Sequence, residues 1–502
     1  MTLDPSLVYP RIWAGQPLPA GLEALLPAFR GLTDDSRQVL PGMAFAAYAG
    51  AAGDGRAYIA DALARGATAL LWQPADGLSA DWPVAHLPVP GLPDLISRIA
   101  GQVHGNPSLA LQVIGVTGTN GKTSCTHWIS QAFNALGRPC GLIGTLGSGL
   151  AGALQPTGFT TPGPVELQHQ LALLRGAGAR AVAMEVSSHA LVQGRVRAVQ
   201  FDLALFTNLT RDHLDYHGDM QAYGRAKATL FHAAGLRRAI LNLDDAFGAT
   251  LHAQLPQQGI SVLGYTQQGP LAPSLPAISA RQVQFTSEGT AFVLHAPQGE
   301  VALHSNLVGA FNLSNLLGVL ACLLESDVPL SALPDVVAAL APPPGRLQRI
   351  GVVGGPQVLI DYAHTPDALT QVLRALRAGL NGGRLICMFG CGGDRDPGKR
   401  PQMGRVAEQH ADVVILTSDN PRSEDPDMIL KAIAAGMQSP PYAAVADRAC
   451  AIALAVELAR PGDIVLLAGK GHETTQEVAG VKLPFSDLTV ARRVLGLSGV
   501  AA

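Results

Sequence analysis

The stretch VIGVTGTNGKTS, residues 113–124, reads as an apolar run that turns through a glycine-rich loop into a helix. Such a turn points backbone N–H groups at an anion, and the helix dipole favours negative charge at the same spot. The loop is tighter than the common G-x-x-x-x-G-K-[ST] pattern. Val116 stands where that pattern has its first glycine, so Gly118 is the usable one, giving G-T-N-G-K-T. In this reading Lys122 reaches terminal phosphates and the Thr123 hydroxyl binds Mg²⁺. Gly118, Thr119, Asn120, Gly121 and Ser124 complete the cradle. A glycine-rich strand-to-helix turn that binds nothing is the competing account.

Around the loop, LQVIGV, AVAMEV, DLALFTN and RAILNLD read as buried strands, with helical crossovers between them. Residues 260–310 differ: VQFTSEGTAFVLHAP and EVALHSNLVG alternate like strands of a smaller antiparallel patch. Further on, QVLIDYAHTPD, RLICMFGCGGDRD, DVVILTSDNPRSED and DIVLLAGKGHE each run an apolar strand into a polar, Gly- or Pro-rich turn. Ligands of open α/β sheets gather outside the carboxyl ends of the strands, so four such turns mark a site. Proline-rich seams at 82–95 and 340–350, with HGNPSLAL just before the phosphate loop, set boundaries near 108 and 345. The expected chain is α/β with three domains, 1–108, 109–345 and 346–502, in keeping with its 502 residues.

Composition narrows the function. Charged residues are 15% and hydrophobic ones 48%, with a net charge of −3 and no long basic run, which argues against nucleic acid as the main partner. No apolar stretch reaches spanning length and the N-terminus lacks a signal-peptide pattern, so a soluble, cytoplasmic protein is expected. The six cysteines are scattered, and buried free thiols account for them better than a zinc set.

Several other stretches carry chemistry-bearing residues. In MEVSSHALVQGR (184–195), Glu185 ends an apolar strand, a natural place for a metal-binding or water-orienting carboxylate, while Ser187 and its neighbours would equally cap a helix. TNLTRDHLDYHGD (207–219) crowds two His and three Asp into eight positions; the spacing fits no closed zinc site, though Mg²⁺ needs only one or two protein ligands. A solvated loop is the alternative. Lys227 by itself reads as a surface lysine on a helix. Asn312 and Asn315 lie at i, i+3 on an apolar helix, and their amides need partners: a base, a ribose or a cap. Arg422 in SDNPRSEDP, with Arg395, Lys399 and Arg400 in GCGGDRDPGKRP and the nearby GKGHE, suggests a pocket for an acidic, zwitterionic small molecule.

Taken in order, DDSR, GTNGKTS, TTPG, MEVSSHALVQGR, FTNLTRDHLDYHGD, DYAHTPDAL, FGCGGDRDPGKRP, DNPR and AGKGHE resemble the Mur ligases of peptidoglycan synthesis. The likeness runs from residue 34 to 473 and is strongest to members that add meso-diaminopimelate to UDP-N-acetylmuramoyl-L-alanyl-D-glutamate. It implies an N-terminal domain for the uridine end, a central ATPase built on a phosphate-loop sheet, and a Rossmann-like C-terminal domain for the amino acid. It implies that ATP and Mg²⁺ are used, that the partners are these small molecules rather than a membrane or nucleic acid, and that the chain acts as a monomer.

The resemblance also implies roles for particular residues. Gly118 to Ser124 match the ATP phosphate loop, and Thr123, Glu185 and His213 the Mg²⁺ shell. Lys227 matches a lysine carried as a carbamate, which requires an unprotonated amine and hence a depressed pKa. Asn312, Arg346 and Asp361 match ATP contacts. Ser36, Thr160, Thr161, Ser187, Gln193 and Arg195 match the nucleotide-sugar peptide site. Arg395, Asp419, Asn420, Pro421, Arg422, Gly469 and Glu473 match the amino-acid site, with Arg422 the signature of the diaminopimelate choice. The sequence departs at Ala51, where such members often carry His. The implied reaction moves the γ-phosphoryl group of ATP onto a carboxylate, and an amine then captures the acyl phosphate. The rival readings are a folylpolyglutamate synthase, a phosphate-loop kinase with a stable phosphorylated product, and a nucleotide-binding scaffold.

Overall fold

The computed structural model describes residues 17–50, 53–78, 81–268, 276–286, 289–351, 355–380 and 382–497; Ala51 and the first 16 residues lie outside these. Three sheets follow one another along the chain. The first has four parallel strands in the order Leu32–Thr33, Ala44–Ala47, Ala69–Trp72, Ala85–Pro88. The two-residue period of a strand puts Ala44 and Ala46 into one apolar cluster and Phe45 and Ala47 into another, so both faces are covered.

The second sheet has ten strands. Its centre is parallel: Cys140–Gly144, Ala181–Glu185, Gln112–Thr117, Leu203–Phe206, Arg238–Asn242 and Val262–Thr266. Nearly every residue of these runs is buried, because helices cover both faces. Helices Lys122–Ala135 and Ala310–Leu324 pack through Trp128, Phe133, Leu316 and Leu320 on one face. Pro164–Gly176 and Ala246–Gln254 pack on the other. The antiparallel strands expected near 260–310 exist, but they are no separate patch. Ala277–Thr286 pairs in parallel with Val262–Thr266, and Gly289–Ala296 and Gly299–Ser305 then extend the same sheet. Alternation along a strand reports one covered face and cannot tell a separate sheet from the edge of a larger one.

The third sheet orders Gln348–Ile350, Gln357–Asp361, Ile464–Ala468, Leu385–Phe389, Val413–Thr417, Ala443–Val445, parallel except for the first strand. Parallel pairing sends the turns after Asp361, Phe389, Thr417 and Ala468 to one edge. Among the described residues no helix is long and apolar enough to cross a membrane. Five cysteines are buried and free, as expected; Cys450 is free but exposed, against the expectation, because it starts a surface helix.

Candidate active site

The phosphate loop leaves strand Gln112–Thr117 and opens helix Lys122–Ala135 at Gly121. Its glycines are required by space as well as by backbone angle. Gly118 has φ 148°, and a Cβ there would overlap the Thr207 hydroxyl; Gly121 has φ 86°, and a Cβ there would overlap the Asn315 amide oxygen. Neighbouring turns hold the loop in shape: Thr119 N donates to Asn208 O (2.8 Å) and Asn120 N to Asn208 Oδ1 (2.9 Å). The first amides of the helix have no intrahelical acceptor and stay aimed at the loop's concavity.

Thr123 Oγ1 donates to Glu185 at 3.0 Å from Oε1 and 3.1 Å from Oε2, and Arg346 Nη2 donates to the same hydroxyl oxygen at 3.1 Å. Thr145 also donates to Glu185, through its N–H (2.8 Å) and its hydroxyl (3.2 Å). Thr160 shares a hydroxyl hydrogen bond with Thr145 (3.0 Å), and Thr161 Oγ1 donates to the Glu185 carbonyl (2.9 Å). Ser187 caps helix Ser188–Val192, so the capping account of that motif holds, yet the cap also lies beside Thr161. Arg195 donates to Thr161 O (2.8 Å) and Gln193 Oε1 (2.9 and 2.6 Å).

Lys227 is 1% exposed, not a surface residue, and its Nζ donates to Gly118 O at 2.9 Å. Lys122 Nζ donates to the same carbonyl, also at 2.9 Å. Two amines therefore share one oxygen, one of them, Lys227, fully buried and the other half-buried. Burial, then the Lys122 charge, holds the Lys227 amine well below the usual lysine range, with Asp212 opposing. Desolvation pushes the His213 ring down to about 3; Asp212 opposes this, and Lys122, His189 and Lys227 reinforce it. Burial alone would raise Asp212, but His364, His213 and Lys399 outweigh it and hold the carboxyl below its usual range.

A cavity of about 370 Å³ lies beyond the loop, lined by Gly121, Ser124, Asn312, Asn315, Arg346 and Asp361 among others. Its size suits a small-molecule ligand. Asn312 and Asn315 line it together, as their spacing predicts; Asn312 Nδ2 also donates to Val308 O (2.9 Å). The wall contributed by the third-sheet segment is tied to the loop by Asn120 Nδ2, which donates to Asp367 Oδ2 (3.3 Å); away from the cavity, Arg211 pairs with Asp396 (3.1 Å). Burial raises Asp361, which accepts from Leu347 N and Ala363 N at 2.8 Å each.

At the edge of the third sheet, Asn420 Nδ2 donates to Glu473 Oε2 (2.9 Å) and Arg422 Nη1 donates to Gly393 O (2.6 Å). Arg422 N donates to Glu477 O (3.0 Å), which docks the hairpin Thr475–Val478, Val481–Pro484 on the loop. Pro421 O accepts from Glu424 N (3.0 Å), closing a turn. Gly469, at φ 110°, comes so close to Asp419 that a Cβ would lie 2.7 Å from its carboxylate.

With this geometry in view, three stretches match family profiles: residues 28–104 "Mur ligase family, catalytic domain", 116–323 "Mur ligase middle domain" and 345–471 "Mur ligase, glutamate ligase domain". The chain belongs to the Mur ligase family. Among relatives of this Mur ligase is the UDP-N-acetylmuramoyl-L-alanyl-D-glutamate--2,6-diaminopimelate ligase of Chromobacterium violaceum, 50% identical over 481 residues and covering 95% of this chain and 96% of that protein. The ligase of the same name from Ralstonia nicotianae is 51% identical over 494 residues, 96% of each. A solved structure of a ligase so named superposes with TM-score 0.66 at 36% identity, covering 94% of this chain and 96% of that one. A MurF ligase from Thermotoga maritima, solved with ADP, shares the fold at TM-score 0.63 and 18% identity, covering 89% and 95%.

In this Mur ligase Lys122 and Lys227 meet at the Gly118 carbonyl and Thr123 and Thr161 meet Glu185, with Arg195 joined to both Thr161 and Gln193. A nucleotide fits the cavity: its volume is about 370 Å³, and among the described residues the buried Arg346 Nε, on its wall, has no hydrogen-bond partner. Thr123 and Glu185 set a hydroxyl against a carboxylate, a donor pair that suits an Mg²⁺ keeping most of its waters. His213, in contrast, lies beside Asp212 (3.4 Å) and packs edge-on against His189; no cluster of three His, Cys, Asp or Glu exists among the described residues. Ser36 stands apart, buried in the first domain, where Asp61 accepts its hydrogen bond. Arg395 is exposed, and its Nη1 donates to Asp394 O (3.4 Å). Arg400 is not a pocket cation: it is buried and forks onto Glu424 at 2.8 and 2.7 Å, a pairing between two turns that local sequence does not announce. Thr145, Tyr362 and Lys470 carry no individual role in the sequence reading. Of these, Lys470 has a usable signal, a lysine in the turn just past an apolar strand.

Proposed function

We propose that this Mur ligase adds meso-diaminopimelate to the D-Glu side-chain carboxylate of UDP-N-acetylmuramoyl-L-alanyl-D-glutamate in the cytoplasm, converting ATP to ADP and phosphate. What carries the reading is identity of about half of all residues, along nearly the whole chain, with ligases of that name. In this reading domain 1–108 holds the uridine end, with Ser36 contributing. Domain 109–345 activates the acceptor, and domain 346–502 presents the amino acid.

A carboxylate is a poor acyl donor because its oxygen leaves badly. Phosphorylating it creates a leaving group but brings two anions together, so positive charge and aimed N–H groups must face the transfer. Lys122 and the amides from Gly121 to Ser124 supply these, and Arg346 reaches the same point through Thr123. Asn312, Asn315 and Asp361 line the space for the nucleoside. Thr123, Glu185, His213 and Lys227 as its carbamate are the residues that would hold Mg²⁺, which neutralises phosphate charge when bound. The depressed Lys227 amine is the form that reacts with CO₂. Thr160, Thr161, Ser187, Gln193 and Arg195 orient the peptide end of the acceptor near Glu185. Asp419, Asn420, Pro421, Arg422, Gly469 and Glu473 hold the amino acid, with Arg422 on its distal carboxylate and Arg395 at the rim. Closure of the cleft around the acyl phosphate, to which contacts such as Arg211–Asp396 would contribute, excludes water in this reading.

The test measures ADP and phosphate release with neither, one or both co-substrates, in ¹⁸O-carboxyl-labelled acceptor. Sustained release only with both, and label appearing in inorganic phosphate, is expected. Phosphate retained on a stable product would make the chain a kinase instead. Chelating Mg²⁺ should stop turnover, and adding it back should restore it.

A further inference from the structure

We infer that Lys470 is a positioning residue for amino-acid recognition: a buried cation that locks the Asn420 amide and the Glu473 carboxylate in the orientations that read the ligand. This rests on the proposed assignment of Asn420 and Glu473 to the amino-acid site. Lys470 follows strand Ile464–Ala468, and its side chain is 0% exposed. Its Nζ donates to Glu473 Oε2 at 2.7 Å and to Asn420 Oδ1 at 3.0 Å. The strands leading to Asn420 and Lys470 are not neighbours; Leu385–Phe389 runs between them. The lysine therefore bridges two turns whose leading strands do not pair with each other.

The bonds around Asn420 admit one amide orientation. Its Oδ1 accepts from Lys470 and from Glu477 N (3.0 Å), and its Nδ2 donates to Glu473 Oε2 (2.9 Å). A flipped amide would set its NH₂ against an ammonium and a backbone N–H, and its oxygen against a carboxylate. Glu473 is fixed by two donors, Lys470 Nζ and Asn420 Nδ2, both on Oε2. Among the described residues no protein hydrogen bond to Oε1 is formed, which leaves that oxygen to accept from an ammonium of the ligand. Lys470 itself is sealed from the ligand by the two groups it holds. Without it, Glu473 would lose a charge-assisted bond and Asn420 would lose the contact that orients it.

The experiment compares Lys470→Met, Glu473→Gln and the double variant with the parent enzyme. It reads KM for diaminopimelate, KM for ATP, and exchange of labelled ADP into ATP with the UDP-dipeptide but no amino acid. Lys470→Met is expected to raise KM for diaminopimelate by about 30-fold or more. Exchange and KM for ATP should stay within about 2-fold, and the double variant should be no worse than Glu473→Gln alone, because the two groups act as one. The inference is overturned if exchange falls in the same proportion as amide formation. It is also overturned if Lys470→Met leaves KM for diaminopimelate unchanged while Glu473→Gln raises it. If Glu473→Gln itself changes nothing, the assignment of the site is wrong and the inference falls with it, a distinct result. Should Lys470→Met not fold, Lys470→Gln carries the same comparison.

Discussion

Two lysines, Lys227 and Lys470, are equally buried in this chain and are set to opposite uses. Lys227 meets a carbonyl oxygen that it shares with Lys122, so its environment disfavours the ammonium. Lys470 meets a carboxylate and an amide oxygen. Removing a lysine from water does not by itself decide its chemistry; the groups that replace the water do. The central site thus offers a reactive amine beside a phosphate cradle, and the C-terminal site offers a fixed charge beside a recognition loop.

The contrast breaks most directly at Lys227. Lys227→Ala should lower turnover about 100- to 1000-fold, since in the proposed reading its carbamate helps hold the Mg²⁺ that neutralises phosphate charge. Label from ¹³C-bicarbonate should appear as a carbamate resonance in the parent enzyme and vanish in the variant. A parent without that resonance would reduce Lys227 to an ordinary buried lysine. Next, Arg422→Asn probes the recognition loop held by the other lysine. Preference for diaminopimelate over lysine, measured as a kcat/KM ratio, should drop by about thirty-fold to several thousand-fold. An unchanged ratio would move the distal carboxylate elsewhere.

Gly118→Ala sharpens the central pole, because both Lys122 and Lys227 grip the Gly118 carbonyl. Overlap with Thr207 and the positive φ should cost about 1–3 kcal/mol. KM for ATP should rise as well, and a variant with unchanged melting and unchanged KM would show that the loop is not held as described. The smallest effect is expected at a structural control. Asp463 accepts from Arg384 Nη2 at 2.7 Å; burial opposes ionisation there, but the Arg384 bonds prevail and depress the pKa. A depressed folded pKa contributes its full stabilisation above the unfolded value of about 3.9, and the contribution is lost as pH falls below that value and through the lower folded pKa. Asp463→Asn should therefore lower the melting temperature at pH 7 by more than at pH 3, with KM for every substrate unchanged.

Much of the site was legible because short stretches carry it. The loop 118–124 declared itself through glycine spacing, and Asn312 with Asn315 through helical spacing; both pairs of features depend only on near neighbours in sequence. Lys227 was not legible from its own surroundings, since YGRAKATLF gives no sign that the helix turns this residue inward; only the family likeness singled it out. Arg400 misled for the same reason. It sits among exposed charges in sequence, and Glu424, its partner, lies on another turn. The edge strands after Val262–Thr266 were recognised as strands but not as part of the main sheet, because side-chain alternation carries no information on which neighbour a strand chooses.

By itself the sequence settled the strands, the turns that end them and the backbone shape of the phosphate loop. These follow from side-chain period and glycine geometry over a few residues. Folding alone decided the charge environments: Lys227 meets the Gly118 carbonyl across 109 residues, and Lys470 meets Asn420 across 50. An amine takes its character from whatever lies within a few ångströms, and which groups those are depends on how distant turns converge at the sheet edges.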